Sequence, residues 1–448
     1  MVGIVLAISG GLAVGREGPA IHIGAGVGDL TNRGINKVLE WWTGEKVPFD
    51  GVVKANVVMM GATAGFASAF RSPMGGMMYC VEELASHWDI KSHMMTGAQT
   101  FLVAATSAFI TDLIVRMTSD GKSIEFSSII IFDGNEASLN KGAVYHYNDL
   151  VGFMLIAVLC GVLSGYTTKI SIWLRNWRFA TEHRQKLWVI ARDAALIAAI
   201  SAVAFSLETM VFTHCKHVPG GDDDHRRLSA GGGERKFVRY TCSDQDYSQL
   251  ASLSLTGEEG VIRHLLSRDE EEFDVKALLL FFAVYLPLSL LVRSLPLPMG
   301  SFVPNLLVGS LVGRIIGVYA LIGAAAMLGA WTKTMIAVVA TLLEITGDVG
   351  MTVPMIAAVI IAREVSTKIA HHSYTHTVFY QLIDDPDSDE PPILHPMDWE
   401  PPGLSGRQVK RGSIDHGIIL EEDEDEDSND DPMEMPTEST PTQNQITR

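Results

Sequence analysis

Few cysteines, scattered histidines and no basic segment ahead of the first apolar stretch bound what this 448-residue chain can be. The 14 histidines show no metal-ligand spacing, and no nucleophile–base constellation is apparent. That argues against an enzyme and against a metal or other cofactor. His371-His372 reads as an interfacial pair. Met1 opens directly onto apolar sequence, so no secretory signal is expected. Of the four cysteines, Cys80 and Cys160 lie in apolar segments and read as small packing residues. Cys215 and Cys242 share one polar loop. They pair if that loop faces an oxidising lumen or exterior, and stay thiols if it does not.

Apolar sequence is what the chain has in quantity. Hydrophobic residues make up 47% of it, and the mean hydropathy is +0.21. Long apolar stretches recur at roughly 52–70, 98–115, 150–166, 277–292, 302–331 and 335–345. Several approach the length that crosses a hydrocarbon core, about 20 residues. A soluble protein with a large helical core would not place so many glycine-rich apolar runs in series. The expected class is an all-α polytopic membrane protein in contact with lipid, with no nucleic-acid partner.

The net charge of −18 is concentrated at one end: Asp384 to Arg448 holds 19 acidic and 4 basic residues. Residues 421–427 are uninterrupted Glu and Asp. Residues 384–448 are expected to be a solvated, disordered tail.

One pattern, Gly-x-x-x-Pro-x-x-x-x-Gly-x-x-x-Gly, occurs twice, 285 residues apart. The first copy is Gly15-Arg16-Glu17-Gly18-Pro19, running through Gly24 to Gly28. The second is Gly300-Ser301-Phe302-Val303-Pro304, running through Gly309 to Gly313. Each reads as a glycine-permitted turn feeding a helix whose first position is proline, where the missing N–H costs nothing. Such a start leaves backbone N–H groups free beside the positive end of the helix dipole. Inside a bilayer, irregular backbone survives only where protein or a water-filled cavity surrounds it. Matching broken-helix starts in two halves of a membrane protein point to a substrate site. Free donors there favour an anion.

The repeat extends further. Gly61-Ala62-Thr63-Ala64 resembles Gly323-Ala324-Ala325-Ala326, and 21 residues beyond each come Glu82 and Glu344. This indicates a duplicated architecture, of the kind that is commonly inverted in transporters. The first-repeat remainder spans about 1–116 and the second repeat about 148–383, with a polar stretch at 117–147 between them. Residues 214–262 read as a large aqueous loop. About 150 residues precede the second motif but only 14 precede Gly15. If the halves were once equivalent, the start of the first repeat is missing, and the chain alone is expected to conduct poorly.

These segments, together with Ser72-Pro73 and Glu82-Glu83, resemble the CLC chloride channels and chloride/proton antiporters over nearly all of residues 1–383. The resemblance implies the CLC-type inverted-repeat fold and a homodimer with one anion pathway per subunit. It implies Glu17 as the gating glutamate, which competes with the anion and frees its place when protonated. It further implies anion contacts at Arg16, Glu17 and Gly18 and at the amides of Ser301, Phe302 and Val303. Tyr374 matches the tyrosine whose hydroxyl caps the central anion, with Tyr380 close by. Glu83 matches the internal proton acceptor of antiporters, so proton transfer is assigned to it. Glu82 reads as a solvated glutamate ending a helix.

The sequence also departs from the family. The upstream Gly-Ser-Gly-Ile-Pro segment is not in the chain, Arg71 stands where asparagine is usual, and nothing after 383 resembles CBS domains. A buried Arg71 needs a partner, and the sequence names none. The expected function is chloride/proton exchange. The alternatives are a passive chloride channel and a truncated, non-transporting regulatory subunit. The expected setting is an endosomal, lysosomal or vacuolar membrane.

Overall fold

Glycine sets how closely the helices approach, while the helices at the two glycine motifs begin at Glu17 and Phe302, two residues ahead of Pro19 and Pro304. Proline is third and not first in each, still among the first-turn positions whose N–H has no partner within the helix. The computed structural model describes residues 12–44, 51–84, 90–118, 145, 149–179, 187–211, 215–217, 237–243, 246–266, 272–295, 300–317, 319–375 and 377–378. The chain divides into two units, Met1–Ile393 and Leu394–Arg448. The acidic tail, Tyr380 and nearly all of the 119–148 stretch lie outside the described residues.

The first group of helices is α1 (Glu17–Thr43), α2 (Gly51–Phe70), α3 (Pro73–Tyr79) and α4 (Ile90–Thr118). A π-turn at Cys80–Leu84 continues α3. Next come α5 (Asp149–Phe179) and α6 (Leu187–Val211), the strands β1 (Cys215–His217) and β2 (Asp246–Ser248), and the short helices α7 (Gln249–Leu255) and α8 (Glu258–Leu266). The apolar α9 (Val275–Arg293) leads into a second group: α10 (Phe302–Ile316), α11 (Ala320–Thr332), α12 (Ile336–Thr346) and α13 (Thr352–Ile369).

Among the described residues, four segments are long and apolar enough to cross a membrane: Gly97–Val115, Asp149–Arg178, Val275–Arg293 and Val349–Ile369. Their outward faces carry exposed apolar side chains such as Leu102, Phe109, Val151 and Val353, as lipid contact requires. By contrast α10, α11 and α12 have 15, 13 and 11 residues. At about 1.5 Å per residue they fall short of a hydrocarbon core of about 30 Å. Their ends therefore lie at membrane depth, where only burial in protein makes irregular backbone tolerable. That burial is seen at Phe302 and Arg314 in α10, at Ala320 and Trp331 in α11 and at Ile345 in α12.

The internal repeat is a repeat of packing. Helix α1 crosses α2 at Gly24 and Gly61, where a Cβ on Gly24 would lie 2.1 Å from the Gly61 carbonyl oxygen. Helix α10 crosses α11 at Gly309 and Gly323, where a Cβ on Gly309 would lie 2.3 Å from the Gly323 oxygen. In lipid, close approach of small residues is a principal source of helix association. The α5 helix packs against α11 and α13.

The 214–262 interruption is not simply an aqueous loop. Strands β1 and β2 pair antiparallel with Cys215 opposite Ser248, and a disulfide joins Cys215 to Cys242. Tyr247, Leu250, Leu253, Val261, Ile262 and Leu265 are buried and join the core that includes α10. In the first of the two short helices the burial is on every side, with Gln249, Leu250, Ala251, Ser252 and Leu253 all enclosed. Cys80 and Cys160 are buried free thiols.

Arg71 has a partner. It sits at the α2–α3 turn with φ 51°, and its Nη1 lies 3.2 Å from Asp112 Oδ1 on α4.

Candidate anion pathway

The two glycine motifs meet. The Gly15 N–H donates to the Gly300 carbonyl at 2.8 Å, and the Gly300 N–H returns a bond to Gly15 at 3.0 Å. This two-residue antiparallel bridge lets each irregular turn satisfy the other's backbone, which lipid would not do. It also sets the starts of α1 and α10 side by side.

Glu17, in the first turn of α1, crosses that junction. Its Oε1 accepts a hydrogen bond of 2.6 Å from the Phe302 N–H at the start of α10. The residue is 3% exposed, and its Oε2 has no hydrogen-bond partner. Both bridge glycines make room for it: a Cβ on Gly15 or Gly300 would lie 1.9 or 2.0 Å from a Glu17 carboxylate oxygen. The carboxylate thus occupies a seat shaped by two glycines and offered a donor by a helix start.

Ser301 is the N-cap of α10 and makes no side-chain cap bond. Its hydroxyl instead accepts from Trp331 Nε1 at 3.0 Å. The Phe302 ring packs against Phe70 with centroids 4.6 Å apart, and Phe70 and Phe302 both adjoin Phe66. Val303 is buried beside it. Gly18 lies in the first turn of α1 and is half-buried. Arg16 is the α1 N-cap; its Nη2 donates to the Ala69 carbonyl at 3.1 Å. Arg16 and Val303 line a cavity of about 370 Å³ whose wall includes Glu258 and Tyr285. The Tyr285 hydroxyl donates to Glu258 Oε1 at 2.5 Å.

The structure brings Tyr374 to the same region, with its hydroxyl directed to backbone. It donates to the Arg293 carbonyl at 2.9 Å, and its ring stacks on Trp331 with centroids 5.6 Å apart. Sequence reasoning overlooked Arg293 itself. This last residue of α9 is 8% exposed, with its guanidinium over the Trp331 ring at 4.2 Å. Its Nη2 donates to Asn305 Oδ1 at 2.8 Å. The available signal was a lone cation seven residues before Gly300, ending an apolar helix. Burying a cation costs several kcal/mol unless it is paired.

Glu82 and Glu83 part company. Glu82 accepts from three successive amides, Met335, Ile336 and Ala337, the shortest bond being 2.8 Å from Ala337. It caps the start of α12, which corrects the reading of a solvated glutamate. An acceptor-only carboxylate facing a row of unpaired helix-start N–H groups has a stronger partner than water in lipid. Glu83 makes no hydrogen bond among the described residues and is half-buried. Tyr79 lies within electrostatic reach of both Glu83 and Glu17 and stacks on Phe66 at 4.5 Å. Among the described residues, no group of three or more His, Cys, Asp or Glu is arranged to hold a metal ion.

The solved structures similar to this chain share its architecture. A slow cyanobacterial Cl−/H+ antiporter superposes with a TM-score of 0.58 at 17% identity, covering 85% of this chain and 74% of that one. A eukaryotic CLC transporter gives 0.54 at 19% identity, covering 85% and 55%. At these identities the likeness concerns the fold, a CLC-type helical transporter fold. Chloride channel protein C of Dictyostelium discoideum is 26% identical over 397 residues, 86% of this chain and 51% of that protein. The H(+)/Cl(−) exchange transporter 7 of Homo sapiens is 26% identical over 434 residues, 91% of this chain and 49% of that protein. The chain spans about half the length of the curated relatives it matches. The family model described as voltage gated chloride channel matches residues 1–367. With most of its length matched, the chain belongs to the voltage-gated chloride channel family.

Proposed function

We propose that this protein carries chloride across a membrane in exchange for protons, as a homodimer with one pathway in each subunit. The observation that carries the reading is the Glu17 carboxylate seated on the Phe302 amide across the Gly15–Gly300 bridge. An uncapped helix start at membrane depth is an anion site, and a carboxylate there is a tethered substitute for the anion. Protonation removes its charge and opens the seat to chloride. Anion movement and proton movement then share one group.

Anion contacts come from the first-turn amides, Gly18 on α1 and Ser301, Phe302 and Val303 on α10. Arg16 lines the cavity leading to them, and Tyr374 closes the far side through its contacts with Trp331 and Arg293. Glu83 is the proton-transfer residue on the other side. Among the described residues its carboxylate accepts from no donor, unlike that of Glu82, and Tyr79 stands within reach of both Glu83 and Glu17. The Cys215–Cys242 disulfide supports placing β1, β2 and their loop on the lumenal or exterior side. An endosomal, lysosomal or vacuolar membrane meets that condition.

The test is Glu17→Gln in the full chain, reconstituted into vesicles with a pH-sensitive dye. The amide imitates the protonated acid, so chloride flux should persist while chloride-driven proton movement disappears. Proton coupling equal to wild type would refute the assignment.

A further inference from the structure

We propose that Arg293 is an anion-binding residue: its free guanidinium N–H groups and the start of α10 form a subsite for a small monovalent anion such as chloride. The proposal rests on the anion-transport reading above and extends it to a side chain that the motifs do not contain. Arg293 is more than nine-tenths buried. A guanidinium carries five N–H donors and stays charged throughout the accessible pH range. Nη2 bonds to Asn305, while Nε and Nη1 have no partner. Those two nitrogens hold three unused N–H donors, one on Nε and two on Nη1. Trp331 covers a face of the guanidinium and leaves its edges, where the hydrogens lie, unused.

Neither contact supplies a counter-charge. Asn305 is neutral, Trp331 offers only its ring, and no carboxylate lies within ion-pair distance of Arg293 among the described residues. Glu17 and Glu258 are within electrostatic reach but make no hydrogen bond to it. Ionisable groups at membrane depth are rare, face the bundle interior or a water-filled cavity, and mark ion pathways.

The position of the guanidinium fits that role. Asn305 is in the first turn of α10, and Trp331 is bonded to Ser301, the N-cap of the same helix. Arg293 is thus fastened at two points to the start that gives Glu17 its seat. A fixed cation there is balanced by the Glu17 carboxylate when no anion is present. It is balanced by the anion once that carboxylate is protonated and displaced. The same charge serves both occupants, so the site need not stand uncompensated between them.

The test uses the purified full chain, titrated with sodium chloride by calorimetry in a buffer whose only anion is isethionate, with thermal unfolding followed in parallel. Wild type should bind chloride, and Glu17→Gln should bind it more tightly because the competing carboxylate is gone. Arg293→Gln should weaken chloride binding tenfold or more and remove most of the rise in unfolding temperature that chloride causes in wild type. Arg293→Lys should keep the charge but lose the planar stacking, and so fall between the two. Asn305→Asp supplies a resident carboxylate and gives up the Asn305 Nδ2 bond to the Ser301 carbonyl. It should weaken chloride tenfold or more, and it stands in for Arg293→Gln if that variant does not fold. Chloride affinity unchanged in Asn305→Asp, or in folded Arg293→Gln, would overturn the proposal and leave the transport reading intact. Absence of chloride binding by both wild type and Glu17→Gln would overturn both.

Discussion

Glu82 and Glu344 cap the helices that lead to one another. Glu82, at the end of α3, takes the amides of Met335, Ile336 and Ala337 at the start of α12. Glu344, near the end of α12, takes the amides of Met74 and Gly75 at 3.1 and 3.0 Å and the Ser72 hydroxyl, at the start of α3. The two glutamates hold equivalent places in the internal repeat, and each is anchored by the helix that carries the other. Such a pair locks α3 against α12, and it fixes the chain immediately before Glu83.

Removing either cap should therefore loosen both helices. Loss of a helix cap costs about 0.5–2 kcal/mol, and hydrogen bonds to a charged group about 1.5–3 kcal/mol each. Glu82→Ala and Glu344→Ala are each expected to cost about 1–3 kcal/mol in denaturant unfolding of the purified protein in detergent. The double variant should cost less than the two singles combined, because the first removal already frees the segment bearing the second cap. Strict additivity would show two independent caps.

The bridge glycines make a steric prediction about the gate. A methyl group on Gly15 or Gly300 would overlap the Glu17 carboxylate, at 1.9 and 2.0 Å. Gly15→Ala and Gly300→Ala should therefore expel the carboxylate and, like Glu17→Gln, weaken proton coupling more than chloride flux. Gly26→Ala is the control, since its new Cβ would meet nothing within 4 Å. Vesicle assays in which all three variants behave alike would contradict the seat described here.

Much of this arrangement was legible in the sequence. The two glycine–proline motifs located both helix starts, and the matched spacing to Glu82 and Glu344 marked equivalent positions. Their reciprocal capping was hidden, since nothing local tells a glutamate which distant amides it will meet. Arg293 was passed over for the same reason: its partners Asn305, Trp331 and Tyr374 are dispersed along the chain and only the fold gathers them. The helical part of the 214–262 stretch was misread because its apolar positions are interleaved with Ser248, Gln249 and Ser252, polar in sequence yet fully buried in the fold.

The neighbouring carboxylates at 82 and 83 should separate functionally. Glu83→Gln is expected to abolish proton movement while sparing chloride flux, because it removes the titrating group and keeps the shape. Glu82→Gln retains an oxygen for the α12 amides and should leave coupling near wild type. Simultaneous chloride and pH recordings from vesicles distinguish them. Loss of coupling in Glu82→Gln with coupling retained in Glu83→Gln would reverse the two roles.

The disulfide makes a prediction outside the membrane. Cys215 and Cys242 are 27 residues apart, a closure worth about 3–4 kcal/mol on chain-entropy grounds. The adjacent Asp246 carboxyl is held below its ordinary range by the Ser243 hydroxyl first, and then by His217. A carboxyl lowered on folding stabilises above its unfolded value, about 3.9, and loses that contribution as pH falls through the lower folded value. Asp246 therefore contributes fully at neutral pH and loses that contribution only in acid. Reductant at neutral pH should speed amide hydrogen exchange in 237–248 while leaving α10 and α11 protected. Unchanged exchange in 237–248 would show that the α7–α8 packing alone holds the loop.

The last prediction concerns Arg71, which combines a left-handed backbone with a charge at the α2–α3 turn. Its φ of 51° is unfavourable for most side chains but well tolerated by asparagine. Its guanidinium pairs with Asp112 at 3.2 Å, with side-chain exposures of 28% and 17%. Asp112→Asn keeps the volume and removes the counter-charge. It should destabilise the protein by about 1–3 kcal/mol, below the ~3–5 kcal/mol of a fully buried pair because some solvent reaches the arginine. Arg71→Asn removes the cation and eases the backbone, so it should cost less. The decisive measurement is the double variant Arg71→Asn/Asp112→Asn. With the Arg71 cation removed together with its counter-charge, it should be more stable than Asp112→Asn alone, a coupling visible in a double-mutant cycle of unfolding free energies. A double variant no more stable than Asp112→Asn alone would mean that Asp112 acts through its other contacts, and that Arg71 is held by the turn and not by charge.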